Sequence, residues 1–567
     1  MKKNILSISL LLISLLFFTK SESINQIECQ YDIENDGVYT SILSDKFLPD
    51  SPIEMTINGE EVPFTNRYLF PKTGYFEIIF KLTGPTNMDF MFEGVSSLMR
   101  VDMISTESMK ITRFESTFEN CINLLSFTMK GFDTSSATSM KRMFFGTSSL
   151  DRTDLEEFNT ESVLDMSSMF ESSNIFSLQL RTFNTKRVKN MNSMFKWCQN
   201  VLYLRIDTFD TSSVTDMSNL FLWNNNLQEL NISCWDTSAV TDMSWMFYHC
   251  SSLTSLNVSN FNTKEVTKMD NMFNSLLLIT SLDVSKFDTS QVVNMAGMFS
   301  SDKKLKYLDL SNFETRFVES MADMFNGCNS ISDLNVENFR TERVKDMSSM
   351  FANCHFITSL NLKGFDTSKV TNMNSMFKSM NSLKYLDISY FRTPFVQNFK
   401  QMFFECSELK ELDLSSFDSS KCKNMESMFA KCENLVSLDL SKFNTDNVET
   451  MENMFFSDKS LKKLNIDNFD TSNVKTMSQM FSECESLTSL DLSHFNTSKV
   501  TSMFDMFYED KSMQVLNLKN FDVEGIRDFG QMFNNCINMT LILGKNNDKC
   551  KVLYEISPGY VKVEYVE

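Results

Sequence analysis

Three histidines, thirteen cysteines and 73 carboxylate side chains are the groups with which this 567-residue chain could do chemistry. A nucleophile and its base must come within hydrogen-bond reach of each other. His249, His355 and His494 share no position in the repeat described below, and no CxxC, HExxH or glycine-rich phosphate loop occurs. His249 and Cys354 fall in turns about four strands apart, roughly 19 Å at strand spacing. Adjacent carboxylates such as Glu156-Glu157 lack the paired pocket that acid-base work needs. These residues point away from catalysis, and no cofactor or metal is expected. With 53 basic against 73 acidic side chains the net charge is −20, which repels phosphate backbones and argues against a nucleic-acid partner.

The elements that hold these residues follow from an internal period. The motif FDTSSVTDMSNLF (209–221) recurs with its first aromatic at residues 132, 158, 183 and 209, then every 26 residues to Phe521, with a single interval of 25 between Phe158 and Phe183. Two weaker copies open at Phe80 and Thr106, giving eighteen in all. Counted from the opening aromatic, apolar residues fall at +5, +8, +11 and +12, as in Val344, Met347, Met350 and Phe351. That spacing predicts one face of a short helical segment, with the preceding Asp/Asn-Thr-Ser run offering oxygen acceptors at its start. The second half, as in LTSLDLS (487–493), alternates like a short strand with one buried side. The expected fold is therefore an α/β repeat solenoid of leucine-rich-repeat type, each turn carrying one short parallel strand and one short helical segment. Phe fills +12 in all eighteen copies, and 31 of the 40 Met lie at +8 and +11, which reads as a stacked core.

Nine of the cysteines share position +15: Cys121, Cys198, Cys250, Cys328, Cys354, Cys406, Cys432, Cys484 and Cys536. Val95, Thr147, Ser173, Leu276 and Asp302 replace them elsewhere, so a small semi-buried site is expected. Only Cys328/Cys354 and Cys406/Cys432 lie on neighbouring turns, close enough for a bridge, and a Cys536–Cys550 link would close the last turn.

Repeats of this form, L-x-x-L-D-L-S-x-F-D-T-S-x-V-T-x-M-x-x-M-F-x-x-C, resemble those of the BspA-like leucine-rich-repeat surface proteins, in particular the subgroup common in mycoplasma-type surface lipoproteins. The resemblance spans about residues 80–545. It implies a secreted or cell-surface protein that binds other proteins or host surfaces, without enzymatic activity. The lipid-attachment Cys that such lipoproteins carry just after their signal is missing here.

Function is then sought on the strand face, where +20, +22 and +24 alternate with the buried leucines. Position +22 holds Asp or Asn in twelve successive copies: Asn231, Asn257, Asp283, Asp309, Asn335, Asn361, Asp387, Asp413, Asp439, Asn465, Asp491 and Asn517. This strip reads as a solubilising ladder, as a docking strip for a basic partner, or as a weak calcium strip, since such oxygens suit a hard cation. Tyr203, Tyr307 and Tyr385 occupy +20 and could anchor an interface. Sequons stand at Asn231, Asn257, Asn496 and Asn538.

The ends differ from the repeat. Lys2 and Lys3, then an apolar stretch from Ile5 to Phe18, then polar residues, read as a secretory signal over 1–23. No later segment is apolar enough to span a membrane. Residues 24–79, with Asn58-Gly59 as a hairpin turn and YLFPKTGYFEIIFKL as a strand-turn-strand, read as a small β cap; 546–567, ending VKVEYVE, reads as a C-terminal cap. The whole reads as an extracellular solenoid for adhesion or protein binding, with a structural surface coat as the rival.

Overall fold

A chain that closes a turn every 26 residues must find a partner for each amide it buries. The computed structural model, which describes residues 23–175, 177–545 and 561–567, shows how it does so. The expected signal segment up to residue 22, residues 546–560 of the C-terminal cap, and Cys550 lie outside the described residues. The chain divides into two compact units, Met1–Val214 and Thr215–Glu567.

In the second unit, the turn opening at Phe339 shows the pattern. Amides of Met347, Ser349, Phe351 and Asn353 donate to carbonyls of Asn372, Asn374, Met376 and Lys378 in the next turn, at 2.7–3.1 Å. The amides between them close local turns: Met350 to Met347, Ala352 to Ser349, Cys354 to Phe351. Ser349 and Asn353 adopt φ of 53° and 57°. Alternate amides therefore point across the stack, and every fourth residue turns left-handed.

This corrects the expected helical segment: no helix occurs among the described residues. A helix would direct its amides along its own axis, four residues back, and leave the neighbouring turn without donors. The spacing +5, +8, +11, +12 does mark the buried side chains, but consecutive tight turns place them there. The Asp/Asn-Thr-Ser run likewise supplies acceptors for turns. Asp366 Oδ1 accepts from the Ser368 amide at 2.9 Å, which is the local Asx geometry such residues favour.

The threonine at +2 has a separate task. Thr341 Oγ1 donates to the Asp366 carbonyl at 2.9 Å and accepts from the Asp366 amide at 2.8 Å, so one buried hydroxyl satisfies both polar groups of a peptide in the next turn. Ser419 does the same for Asn444, at 2.8 Å each way.

The cores are columns of identical residues. In the first unit Phe92, Phe118, Phe144, Phe170 and Phe195 stack at centroid distances of 5.4–5.9 Å, with rings within 12° of parallel. In the second unit the column runs from Phe221 to Phe533 at 5.5–5.9 Å. These separations exceed the ~4.8 Å of strand spacing because the rings are offset, the arrangement that avoids face-on repulsion of their π clouds. The methionines beside them, such as Met347 and Met350, are fully buried.

The strand half is short and interrupted. Ser437–Asp439 pairs in parallel with Lys463–Asn465, and Ser359–Leu360 with Tyr385–Leu386. Ser281 and Tyr307 meet in a single parallel bridge. At the carboxyl end Val561–Val566 lies parallel to Met539–Gly544 as the outer strand of a four-stranded sheet.

In the first unit the repeat sheet continues into antiparallel strands. Leu98–Ser105 pairs in parallel with Ser126–Lys130 on one side and antiparallel with Asn25–Ile33 on the other. Asn25–Ile33 pairs in turn with Gly74–Leu82, and that strand with Ile53–Ile57. The turn at Asn58-Gly59 joins Ile53–Ile57 to Glu60–Val62 with φ of 49° and 85°. Arg67–Leu69 pairs with Tyr39–Ser41 rather than with Gly74–Leu82, so YLFPKTGYFEIIFKL is not a hairpin. Gly74–Leu82 also runs through Phe80, and the repeat's buried column takes over at Met88, Met91 and Phe92.

Replacing Phe351 by Ala removes one ring from a closed column and should cost about 3–5 kcal/mol. Hydrogen exchange should accelerate in the turns opening at 339 and 365; unchanged protection there would contradict the stacked core. Thr341→Val, which strands a buried amide and carbonyl, should cost about 1–3 kcal/mol in a denaturant titration. Thr341→Ser should restore most of that, as Ser419 does naturally.

Candidate functional site

An exposed strip of polar side chains is informative only when their other bonds are known. At position +22 each of the twelve residues is committed to the backbone. Asn231, Asn257, Asp283, Asp309, Asn335, Asn361, Asp387, Asp413, Asp439, Asn465, Asp491 and Asn517 each accept, through Oδ1, the amide two residues on, at 2.9–3.3 Å. All twelve lie in the second unit, nine exposed and three (Asp309, Asn465, Asn517) half-buried. The strip is thus a row of Asx turns in the strand half of the repeat, although Asp387 Oδ2 also accepts from the Tyr390 hydroxyl.

These bonds favour the charged carboxylates. The Ser285 hydroxyl and amide hold Asp283 below the usual carboxylate range. The Tyr390 hydroxyl, then Ser389, does so for Asp387, and the amides of Ser415 and Ser441 do so for Asp413 and Asp439. Asp387, Asp413 and Asp439 stand on three successive turns, the longest run of charge in the strip.

Tyr307 and Tyr385 lie on the same face as the strip, 66% and 58% exposed, but three turns apart. Tyr203, at 42% exposed, belongs to the first unit. The tyrosines therefore form no cluster. The sequon asparagines Asn231 and Asn257 each also accept a hydroxyl bond, from Ser233 and Ser259 at 2.8 Å, while Asn496 and Asn538 lie exposed off the strip.

The histidines are dispersed. His249 stacks on Trp223 at 4.1 Å and burial lowers its pKa. His355 Nδ1 lies 2.9 Å from the Ser379 carbonyl, and His494 Nε2 lies 3.1 Å from that of Ile466. Among the described residues no three His, Cys, Asp or Glu converge to hold a metal ion.

The +15 column is fully buried rather than semi-buried. Each of its nine cysteines points its thiol at the carbonyl of the +12 Phe one turn back: Cys354 at Phe325 and Cys328 at Phe299, both at 3.1 Å, Cys121 at Phe92 at 2.9 Å. Cys328, Cys354, Cys406 and Cys432 are all free thiols, so neither neighbouring pair is bridged. Burial pushes the Cys354 and Cys406 thiols up to about 12, which suppresses the nucleophilic thiolate.

Three aspartates replace cysteine in this column. Asp302, Asp458 and Asp510 are buried, and their Oδ1 atoms accept the amides of Leu276, Cys432 and Cys484 at 2.8 Å. Oδ2 of Asp458 and of Asp510 has no hydrogen-bond partner among the described residues. Burial raises all three pKa values well above the ordinary carboxylate range. Asp302 stands in the sequence as a variant of the cysteine position, and a carboxylate at a site otherwise filled by Cys, Val, Leu, Met, Ser, Thr or Asn is the signal of an unusual environment.

A family model described as "Mycoplasma protein of unknown function, DUF285" matches residues 86–203, 197–281, 276–361, 355–438 and 423–545. The chain belongs to that family, which is the mycoplasma-type repeat to which its FDTSSVTDMSNLF motif points. No curated protein matches it. Among solved structures it is similar to a leucine-rich cell surface protein of Faecalibacterium prausnitzii A2-165, with 12% identity over 85% of this chain and 88% of that one, at a TM-score of 0.25. It is also similar to the functional domain of InlJ from Listeria monocytogenes, described as including a cysteine ladder, with 16% identity over 80% of this chain and 75% of that one, at a TM-score of 0.14.

The buried aspartates set a pH dependence whose sign is fixed by their raised folded pKa. Their neutral form suits the fold, so their contribution is full in acid and is lost as pH rises through the folded value. Asp458→Asn keeps the acceptor for Cys432 and removes the titration. Its denaturation midpoint should match that of the parent at about pH 4 and exceed it at about pH 7.5. Equal midpoints at both would show that Asp458 does not titrate abnormally.

Proposed function

We propose that this chain is an extracellular surface protein that binds other proteins, in adhesion or recognition, through the strand face of its repeats. The observation that carries this reading is the +22 strip: twelve side chains held in register, each fixed by the amide two residues on, nine of them exposed. A face whose side chains are fixed in position loses little conformational entropy on binding. Its carboxylates at Asp387, Asp413 and Asp439 suit a basic partner. The basic start and apolar stretch of residues 1–23 support export, residues 24–79 serve as the amino-terminal cap, and Val561–Val566 covers the outer edge of Met539–Gly544. Among the described residues no helix is long and apolar enough to cross a membrane.

A second reading is a structural coat that binds nothing tightly. It is favoured by the Asx turns themselves, which give each +22 residue a reason to be Asp or Asn without any ligand.

The two separate in one experiment. Residues 24–567 are titrated onto intact cells and onto arrays of basic proteins, beside the triple variant Asp387→Asn, Asp413→Asn, Asp439→Asn, which keeps the Asx acceptors and removes the charge. Saturable binding weakened about tenfold or more in the variant is the expected result. No saturable binding by the parent would leave the coat.

A further inference from the structure

Away from the strand face, the second unit carries a local reversal of its own charge. Positions +4 and +6 lie on an exposed side of the turns. In the turns opening at 339, 365, 391 and 417 they form a shallow groove of about 530 Å³, lined by Lys345, Lys369, Thr371, Phe395, Gln397, Lys421 and Lys423. Four lysines and no carboxylate line it, in a chain whose net charge is −20.

The turn opening at Phe391 makes the groove by departing from the repeat. It reads FRTPFVQN where the preceding turn reads FDTSKVTN, placing Phe395 at +4. The ring is 54% exposed, and uncharged Thr371 and Gln397 lie at +6 beside it. Phe317, at the same position three turns earlier, is half-buried and covered by the Arg343 guanidinium at 4.8 Å. Phe395 has no such cover among the described residues.

Three of the four lysines are free of ion pairs among the described residues. Lys345 pairs with Glu319 at 2.6 Å, and beyond the other end Glu449 pairs with Lys475 at 2.5 Å, but Lys369, Lys421 and Lys423 form none. Lys369, Lys421 and Lys423 feel the carboxylates of Asp366, Asp418 and Glu449 at a distance, but none of these lines the groove, and Asp366 and Asp418 are engaged by Ser368 and Ser420, at 2.9 and 3.0 Å.

We infer that this groove is a second interaction surface, which takes an extended acidic peptide segment anchored by an apolar side chain. A central apolar contact rimmed by charge is the anatomy of a protein-binding hot spot. Lys369 and Lys421 flank Phe395 one turn to either side, about 10 Å apart at strand spacing, and their flexible stems spread to the roughly 13 Å between residues i and i+4 of an extended chain, whose side chains share a face with that of i+2. Two carboxylates at that separation, with an apolar residue between them, would meet both lysines and the ring together. A sulfated polysaccharide would use the lysines but has no use for the ring.

The test measures fluorescence anisotropy with the full chain and a labelled peptide carrying Glu-Ser-Phe-Ser-Glu in a Gly-Ser frame. A second peptide has Ser in place of Phe, and heparin serves as competitor. Saturable binding of the first peptide is expected, weakened about tenfold or more by Phe395→Ser, by Lys421→Glu with Lys423→Glu, and by loss of Phe from the peptide. Thermal midpoints of the variants should equal the parent's, since the altered side chains are exposed. The triple Asn variant of the strand face should bind the peptide unchanged, which separates this surface from that one. Heparin binding should be indifferent to Phe395→Ser, whereas absence of peptide binding, or equal binding of both peptides, would overturn the inference.

Discussion

The constraint on which the rest depends is the set of backbone hydrogen bonds that cross from one turn to the next at alternate residues. Four amides per turn, at +8, +10, +12 and +14, are committed to the following turn, as at Met347, Ser349, Phe351 and Asn353. Because those donors sit two residues apart, a slip of one residue would aim every one of them at nothing and drive the buried Met and Phe outward. The period is therefore held with little latitude. The one shortened copy locates the tolerance: between Phe158 and Phe183 a residue is missing, yet Asp165 still bridges Asn190, and Phe170 still stacks on Phe195 at 5.9 Å. The deletion falls after the Met-Phe segment, in the half of the repeat where pairing is short and intermittent. Length can change there because little backbone bonding depends on it.

The same constraint explains what was legible in the sequence. The Phe and Met columns were legible because a period of 26 with fixed residue types has one economical cause, stacking of like on like. The cysteines were legible as a tolerant small site, although their complete burial was not, because the carbonyl that receives each thiol belongs to a residue 29 positions earlier and leaves no local mark. The helix was misread for a definite reason. Buried positions at +5, +8, +11 and +12 fit a helical face, but tight turns with a left-handed residue every fourth position generate the same inward spacing. Periodicity reports which side chains point in, and it does not report where the amides go. The threonine at +2 was misread by the same route: its hydroxyl does cap backbone groups, but those of another turn.

The surface divides along similar lines. Residues at +22 look like a functional strip, yet the Asx turn gives each a structural reason to be there. Asp and Asn are interchangeable for that turn, so the choice between them is free of folding constraint, and the run of charge at Asp387, Asp413 and Asp439 is where a function can be written. The groove at Phe395 is legible only after the fold is known, since Lys369, Phe395 and Lys421 are 26 residues apart and meet solely because the turns are in register.

The scarcity of glycine completes the physical picture. Each turn needs two left-handed residues, and the chain has only 14 glycines in 567 residues, so Ser, Asn, Gln, Glu and even Trp245 and His249 take φ near 60°. That conformation costs an L-residue roughly 1–2 kcal/mol, and glycine would avoid it only by making the unfolded chain freer. The strain persists because each left-handed residue also donates one of the cross-turn bonds, as Ser349 does to Asn374 and Asn353 to Lys378. At Gly297 the vacated space is used by a neighbour: a Cβ there would stand 2.2 Å from Asn271 Oδ1, the side chain at the same position one turn earlier. Non-glycine residues at these positions also bring a side chain to the turn: some, such as Ser375 and Ser427, are buried, while others, such as Gln531 and Asn535, are exposed and let a repeat protein vary its surface without altering its core.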